Sequence, residues 1–258
     1  MRIALAQLRA TTDPQANLAL VADLARRAAQ AGAAVVVFPE ATMCSFTRPS
    51  AHIAEPFDGP WASAVRTLAR DLGVTIVAGM FTTAPGGKVH NTLLVTGSAE
   101  ARYDKIHLFD ALGYRESEYV TPGDQLTTAE ISREPFGLAI CYDLRFPQQF
   151  IDLALGGARV TLLCASWAPG PGKLTQWRAL ATARAMDSTS FIVAVDQAAS
   201  GDVEAAGPPT GIGHSMAVDP TGRVLLELGP EPDLAVVDLD LAEADAAREA
   251  LPVLRAYL

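Results

Sequence analysis

The chain alternates short, continuous apolar runs with segments in which hydrophobic residues return every three or four positions. Residues 3–8, 34–38, 74–78, 136–140, 160–164 and 190–195 are apolar on both faces, which predicts strands buried from both sides. Residues 17–30, with Leu18, Val21, Leu24 and Ala28 on one face, predict an amphipathic helix. Thr12-Asp13-Pro14 supplies its start and Gly32 its stop. Further helices are predicted over 61–72, stopped by Gly73, near 148–155, stopped by Gly156-Gly157, and over 174–187. Gly97-Ser98 and Asp219-Pro220-Thr221-Gly222 each separate two short strand-like runs and predict hairpins. A last strand is expected over 234–237, then a short helix capped by Asp240. Residues 41–60 and 110–130 read as loops.

The second half thus repeats the first in kind, which predicts two sheets with helices outside them, a layered α/β sandwich. No linker, low-complexity tract or fixed-period repeat interrupts it, so residues 1–258 are expected to form one domain. Half of the 258 residues are hydrophobic, enough for a substantial core. The net charge of -9 argues against nucleic acid or an anionic membrane as partner. Met1 to Leu8 is too short an apolar run for a signal peptide or membrane span. Three cysteines in no disulfide spacing point to the cytoplasm, and Cys44 and Cys164 read as small core residues.

Three polar residues keep unusual company. Glu40 and Cys141 each follow a run of hydrophobes, and Lys105, one of three lysines, follows a short strand. Singly, each has a plain reading: a core thiol, a solvated turn, a surface ammonium. Together at strand ends they describe a chemical centre. The thiolate is the nucleophile, a carboxylate in a dry pocket has the raised pKa of a base that later acts as an acid, and an ammonium steadies an oxyanion. The N–H of Tyr142, just after the thiol, is a natural second oxyanion donor.

The wording around these residues resembles the nitrilase superfamily of carbon–nitrogen hydrolases. It reads Val36-Val37-Phe38-Pro39-Glu40, then Tyr103-Asp104-Lys105-Ile106-His107-Leu108-Phe109, then Ile140-Cys141-Tyr142-Asp143-Leu144-Arg145-Phe146-Pro147. His90-Asn91-Thr92, Tyr114-Arg115-Glu116-Ser117, Ala183-Arg184-Ala185 and Gly213-His214-Ser215 extend the likeness over nearly the whole chain. The resemblance implies a four-layer αββα sandwich of two mixed sheets, no metal or other cofactor, and a homodimer. It makes Glu40 the base, Lys105 the oxyanion stabiliser and Cys141 the nucleophile. A second, assisting glutamate matches Glu116, with Glu118 close by. Cys-Tyr-Asp-Leu-Arg-Phe-Pro and Gly-His-Ser are similar to the Nit branch, which includes omega-amidases and deaminated-glutathione amidases.

That branch implies a small amide substrate, a thioester on Cys141, and release of ammonia and a carboxylate, with Glu40 and Glu116 activating water. A nitrile or N-carbamoyl substrate is the alternative within the superfamily. The loop 165–173, which carries Trp167, departs from the branch and is expected to border the pocket. A carboxylate on the substrate would call for a cation, with Arg145, Arg115, Arg184 and Lys173 as candidates. A Cys–His enzyme using His214 or His107 is a rival on residue type. A silent binding protein is another, and a dehydrogenase is disfavoured because no Gly-x-Gly-x-x-Gly follows the first strand.

Overall fold

The computed structural model describes residues 1–47, 50–200 and 208–258. The chain runs β1 (Arg2–Gln7), α1 (Pro14–Gln30), β2 (Val35–Val37), α2 (Pro60–Leu72), β3 (Thr75–Thr83), β4 (Val89–Thr96) and β5 (Ala101–Asp104). The short pair β6 (Asp110–Ala111) and β7 (Tyr114–Arg115) follows, then β8 (Thr128–Ile131), β9 (Glu134–Ile140), α3 (Pro147–Leu155), β10 (Val160–Ala165) and α4 (Lys173–Ser188). It ends with β11 (Phe191–Asp196), β12 (Met216–Val218), β13 (Val224–Glu227), β14 (Asp233–Asp238) and α5 (Ala242–Ala250).

Two six-stranded sheets form, in the orders β14-β1-β2-β3-β4-β5 and β13-β12-β11-β10-β9-β8. Each has a parallel trio, β1-β2-β3 or β9-β10-β11, continued by two antiparallel strands on one side and one on the other. The layered α/β sandwich read from the sequence is the observed architecture. Its buried strands alternate as a two-sided sheet requires. Ile3, Leu5, Val35, Val37 and Val77 enter the inter-sheet core, whereas Ala4, Ala6, Val36, Phe38, Ile76 and Ala78 pack with Val21 of α1 and Trp61 and Val65 of α2. On the other side α3 lies against β9 and α4 against β11.

The stretch 110–130, expected as a loop, instead carries β6, β7, a 3-10 turn over Glu116–Glu118 and the start of β8. The strands of two residues are too short to show a period-2 pattern. The expected loop over 41–60 holds the start of α2, and its residues 48 and 49 lie outside the described ones. Cys44 and Cys164 are fully buried, and no disulfide among the described residues includes them. The parallel trios open their carboxyl ends where ligands bind in sheets of this kind. Glu40 lies beyond β2, Cys141 beyond β9, Ser166 beyond β10, and Asp196 ends β11.

Candidate active site

Cys141 opens a 3-10 turn, Cys141–Arg145, directly after β9. Its φ of 45° lies in the left-handed region, a strained conformation for a residue with a Cβ. The buried Asp143 carboxylate holds this junction. Its Oδ2 accepts from Ile140 N at 2.8 Å and Tyr103 Oη at 2.6 Å, and its Oδ1 accepts from His107 N at 3.1 Å. An acid three residues into the turn that accepts from the N–H before it closes the turn from one side, since Ile140 has no side-chain acceptor to return the bond. Arg184 adds support from α4, donating to Leu144 O at 2.8 Å.

Glu40 is placed by a tight turn beyond β2. Gly79 N donates to Pro39 O at 3.1 Å and Met43 N to Gly79 O at 2.9 Å, pressing residues 39–43 onto β3. A Cβ on Gly79 would lie 2.5 Å from Ala41 N and 2.8 Å from Glu40 Cα, so only glycine admits this approach. Lys105 follows β5, with its N–H bonded to Asn91 O at 2.9 Å.

Between these elements lies a dry polar cluster. Glu40 Oε1 accepts from Asn91 Nδ2 at 2.7 Å and Lys105 Nζ at 3.1 Å, and Oε2 accepts from Ser166 N at 2.8 Å. Both Glu116 oxygens bind Lys105 Nζ, at 3.1 and 2.8 Å. Asn91 Nδ2 reaches Glu116 Oε1 at 3.0 Å, and Phe109 N reaches Oε2 at 2.7 Å. The thiol of Cys141 donates to Ser166 O at 3.6 Å, so one residue touches both Cys141 and Glu40. Glu118 is exposed and pairs with Arg115 at 3.5 Å, so Glu116 is the glutamate that joins this cluster.

Burial pushes the Glu40 carboxyl above its usual range, and Lys105 pulls against it. Burial acts to lower the Lys105 pKa, but Glu116 and Glu40 overcome it and hold the ammonium charged. The Cys141 thiol is pushed well up by burial and by Glu40, which outweigh Lys105. At neutral pH the centre therefore holds a thiol beside a carboxyl whose affinity for a proton is raised.

Lys105, Phe109, Cys141, Tyr142, Arg145, Ser166, Trp167, Ala168, Lys173 and Pro209 line one pocket of about 300 Å3, its mouth included. The Arg145 guanidinium lies 5.0 Å from the Trp167 ring centre, and Lys173 Nζ 5.9 Å from it. Of the four cations considered for a substrate carboxylate, these two reach the pocket. Arg184 is committed to Leu144 O and to Asp187 at 2.6 Å, and Arg115 lies on the surface. The two histidines weighed as bases are engaged elsewhere, His214 Nδ1 with Glu227 at 3.0 Å and His107 Nδ1 with Asp143 at 2.8 Å.

Sequence reasoning gave no role to Asn91, Asp143, Ser166 or Gly79. Asn91 and Asp143 stand inside quoted motifs, Asn91 as a polar side chain in β4 and Asp143 as an acid in the turn after β9.

The sandwich of two mixed sheets thus gathers a thiol, an ammonium and two carboxylates at its strand ends, groups suited to a hydrolase of the cysteine type. Residues 2–249 match the carbon-nitrogen hydrolase family, and the chain belongs to it. Among its relatives is the hydrolase Rv0480c of Mycobacterium tuberculosis, 48% identical, with 99% of this chain and 95% of that one covered. The mouse omega-amidase NIT2 is 30% identical over 98% of this chain and 94% of its own. A mutant of the amidase from Nesterenkonia sp. AN1 superposes with a TM-score of 0.79 at 29% identity, over 100% of this chain and 97% of that one. That structure shows covalent addition of the acetamide moiety of fluoroacetamide at its active-site cysteine. The chain is a Nit-like carbon–nitrogen hydrolase acting on bonds other than peptide bonds.

Proposed function

We propose that the protein is an amidase that converts a small amide to a carboxylate and ammonia through a thioester on Cys141. The observation that carries this is the buried Glu40–Lys105–Glu116 cluster beside a strained, pocket-lining thiol. Glu40 Oε1 already has two donors, so Oε2 takes the thiol proton as sulfur attacks the carbonyl carbon. Lys105 Nζ and the Tyr142 N–H receive the oxyanion. The Tyr142 N–H lies in the first turn of a 3-10 helix, where N–H groups have no acceptor within the helix. The C–N bond breaks as Glu40 returns the proton to nitrogen, and ammonia leaves. Glu40 then takes a proton from water, which attacks the thioester, and the C–S bond breaks as the thiol is restored.

Glu116 acts through Lys105 in this scheme rather than on water. Each of its oxygens already accepts two hydrogen bonds, which leaves no lone pair for a proton in flight. Arg145 and Lys173 on the face of Trp167 favour an amide that carries a carboxylate at its far end. The proposal includes a homodimer, supported by the exposed Met186 on α4 and by Leu251, Tyr257 and Leu258 in the C-terminal segment. Sedimentation reading the mass of a single chain overturns that part. Ammonia release from a panel of neutral and carboxylate-bearing amides tests the activity. Turnover of nitriles or N-carbamoyl compounds in preference to every amide would reassign it.

A further inference from the structure

Asp196 is a second carboxylate at the end of a buried strand, and the chemistry above does not use it. It closes β11, whose register sets Asp196 beside Ala165 at the end of β10. The side chain is fully buried, and no ion pair among the described residues includes it. Its partners are two main-chain N–H groups from different loops. Trp167 N donates to Oδ1 at 2.7 Å and Ile212 N to Oδ2 at 2.8 Å. Burial pushes this carboxyl well up, the Ile212 and Trp167 N–H groups oppose it, and Glu40 adds to the rise.

A buried carboxylate without a counter-charge is a costly choice. Two converging N–H donors give it a purpose, since an aspartate accepts on both oxygens and an asparagine on one only. The two loops it joins are the walls of the pocket, which Ser166, Trp167, Ala168 and Pro209 line. Other bonds run across the same seam. Gly211 N donates to Trp167 O at 3.2 Å and Ser166 Oγ to Pro209 O at 2.9 Å. Gly211 has a φ of 92°, and a Cβ there would lie 2.3 Å from Gln197 O, so residues 197 and 211 of the second wall are pressed together. Trp167 is also tied at its ring, with Nε1 bonded to Lys173 O at 3.2 Å.

We propose that Asp196 is a specificity-setting positioning residue. Its carboxylate staples the two pocket walls through the N–H groups of Trp167 and Ile212, and so holds Arg145 and Lys173 on the Trp167 face where an anionic substrate tail sits. In Asp196→Asn the amide nitrogen meets one of the N–H donors, the staple opens on that side, and the cations lose their common support.

The test uses two alkylating reagents on Cys141, anionic iodoacetate and neutral iodoacetamide, with modification read by peptide mass. The wild type should show a higher iodoacetate-to-iodoacetamide rate ratio than a free thiol in solution. Asp196→Asn should lower that ratio about fivefold. Removing a negative charge near sulfur would by itself raise the ratio, so the two effects have opposite signs. A ratio that is unchanged or higher in the variant overturns the proposal, as does a wild-type ratio no higher than that of the free thiol. Should Asp196→Asn fail to fold, Asp196→Ser, which also removes the second acceptor oxygen, decides the matter by the same ratio. The proposal rests on reading this pocket as the amide site, yet alkylation needs no turnover. Absence of amide hydrolysis with the expected ratio change sinks the function alone, and hydrolysis with an unchanged ratio sinks the role of Asp196 alone.

Discussion

Gly79→Ala places a single methyl group under Glu40, the proposed base. The added Cβ would lie 2.5 Å from Ala41 N, against an ordinary contact near 3.4 Å, and both sides of the contact are backbone. The turn over residues 39–41 must therefore retreat by about 0.9 Å, since β3 is held by its ladder to β4 at Gly79. The Glu40 carboxylate moves with it, away from donors now at 2.7, 2.8 and 3.1 Å. A displacement of about 1 Å in a reacting group costs on the order of 10²-fold in rate. Overpacking of this kind costs about 1–3 kcal/mol of stability. The assay is kcat on the best amide of the panel, beside a thermal melt followed by circular dichroism. We expect kcat to fall on the order of 10²-fold while the variant still melts cooperatively, a few degrees lower. A kcat within about threefold of wild type in folded protein would show that the approach of β3 does not position Glu40.

Lys105→Met leaves two carboxylates in a buried site without their cation, so it should cost about 3–5 kcal/mol in denaturant melts as well as activity. A variant of native stability would mean that the pair is solvated. In the pH dependence of kcat/KM, the acid limb should lie above the usual carboxylate range, because Glu40 works deprotonated and burial raises its pKa. The alkaline limb should lie above the usual thiol range, because Cys141 enters the reaction protonated. An acid limb at or below pH 4.5 contradicts this. Arg145→Ala should raise KM for a carboxylate-bearing amide about tenfold with little change for a neutral one, which the paired kinetics read directly. Arg184→Ala should instead lower the melting temperature, since that guanidinium holds Leu144 O and Asp187. His214→Ala should keep thioester formation, and its loss with Glu40→Gln still active would restore the Cys–His reading.

The sandwich was legible because its central strands are buried on both faces and bounded by glycine and proline. Cys141 and Glu40 stood out because each breaks off an apolar run, and Lys105 because it is one of three lysines and follows a short strand. Asp196 ends such a run as well, so the signal that singled out Glu40 was present there and passed unused. Glu116 and Glu118 could not be separated, since they lie two residues apart in a turn whose conformation no period announces. Their difference is tertiary: one points to Lys105 and the other to solvent. Gly79 hid within a strand because its reason is another segment pressed against it. Asn91 hid likewise, as a polar position in β4 whose partners lie 51 and 25 residues away. Among the cations, Arg184 and Arg145 differ only in what lies over them, which neither composition nor spacing records.

The central claim is that Cys141 carries the acyl group. Intact-mass analysis of enzyme quenched during turnover of an amide tests it most directly. We predict a mass increase equal to the acyl group, mapped to the Cys141 peptide, accumulating in a variant slowed in hydrolysis and absent from Cys141→Ala. Ammonia released at the wild-type rate by Cys141→Ala, or an adduct on any other residue, would contradict it.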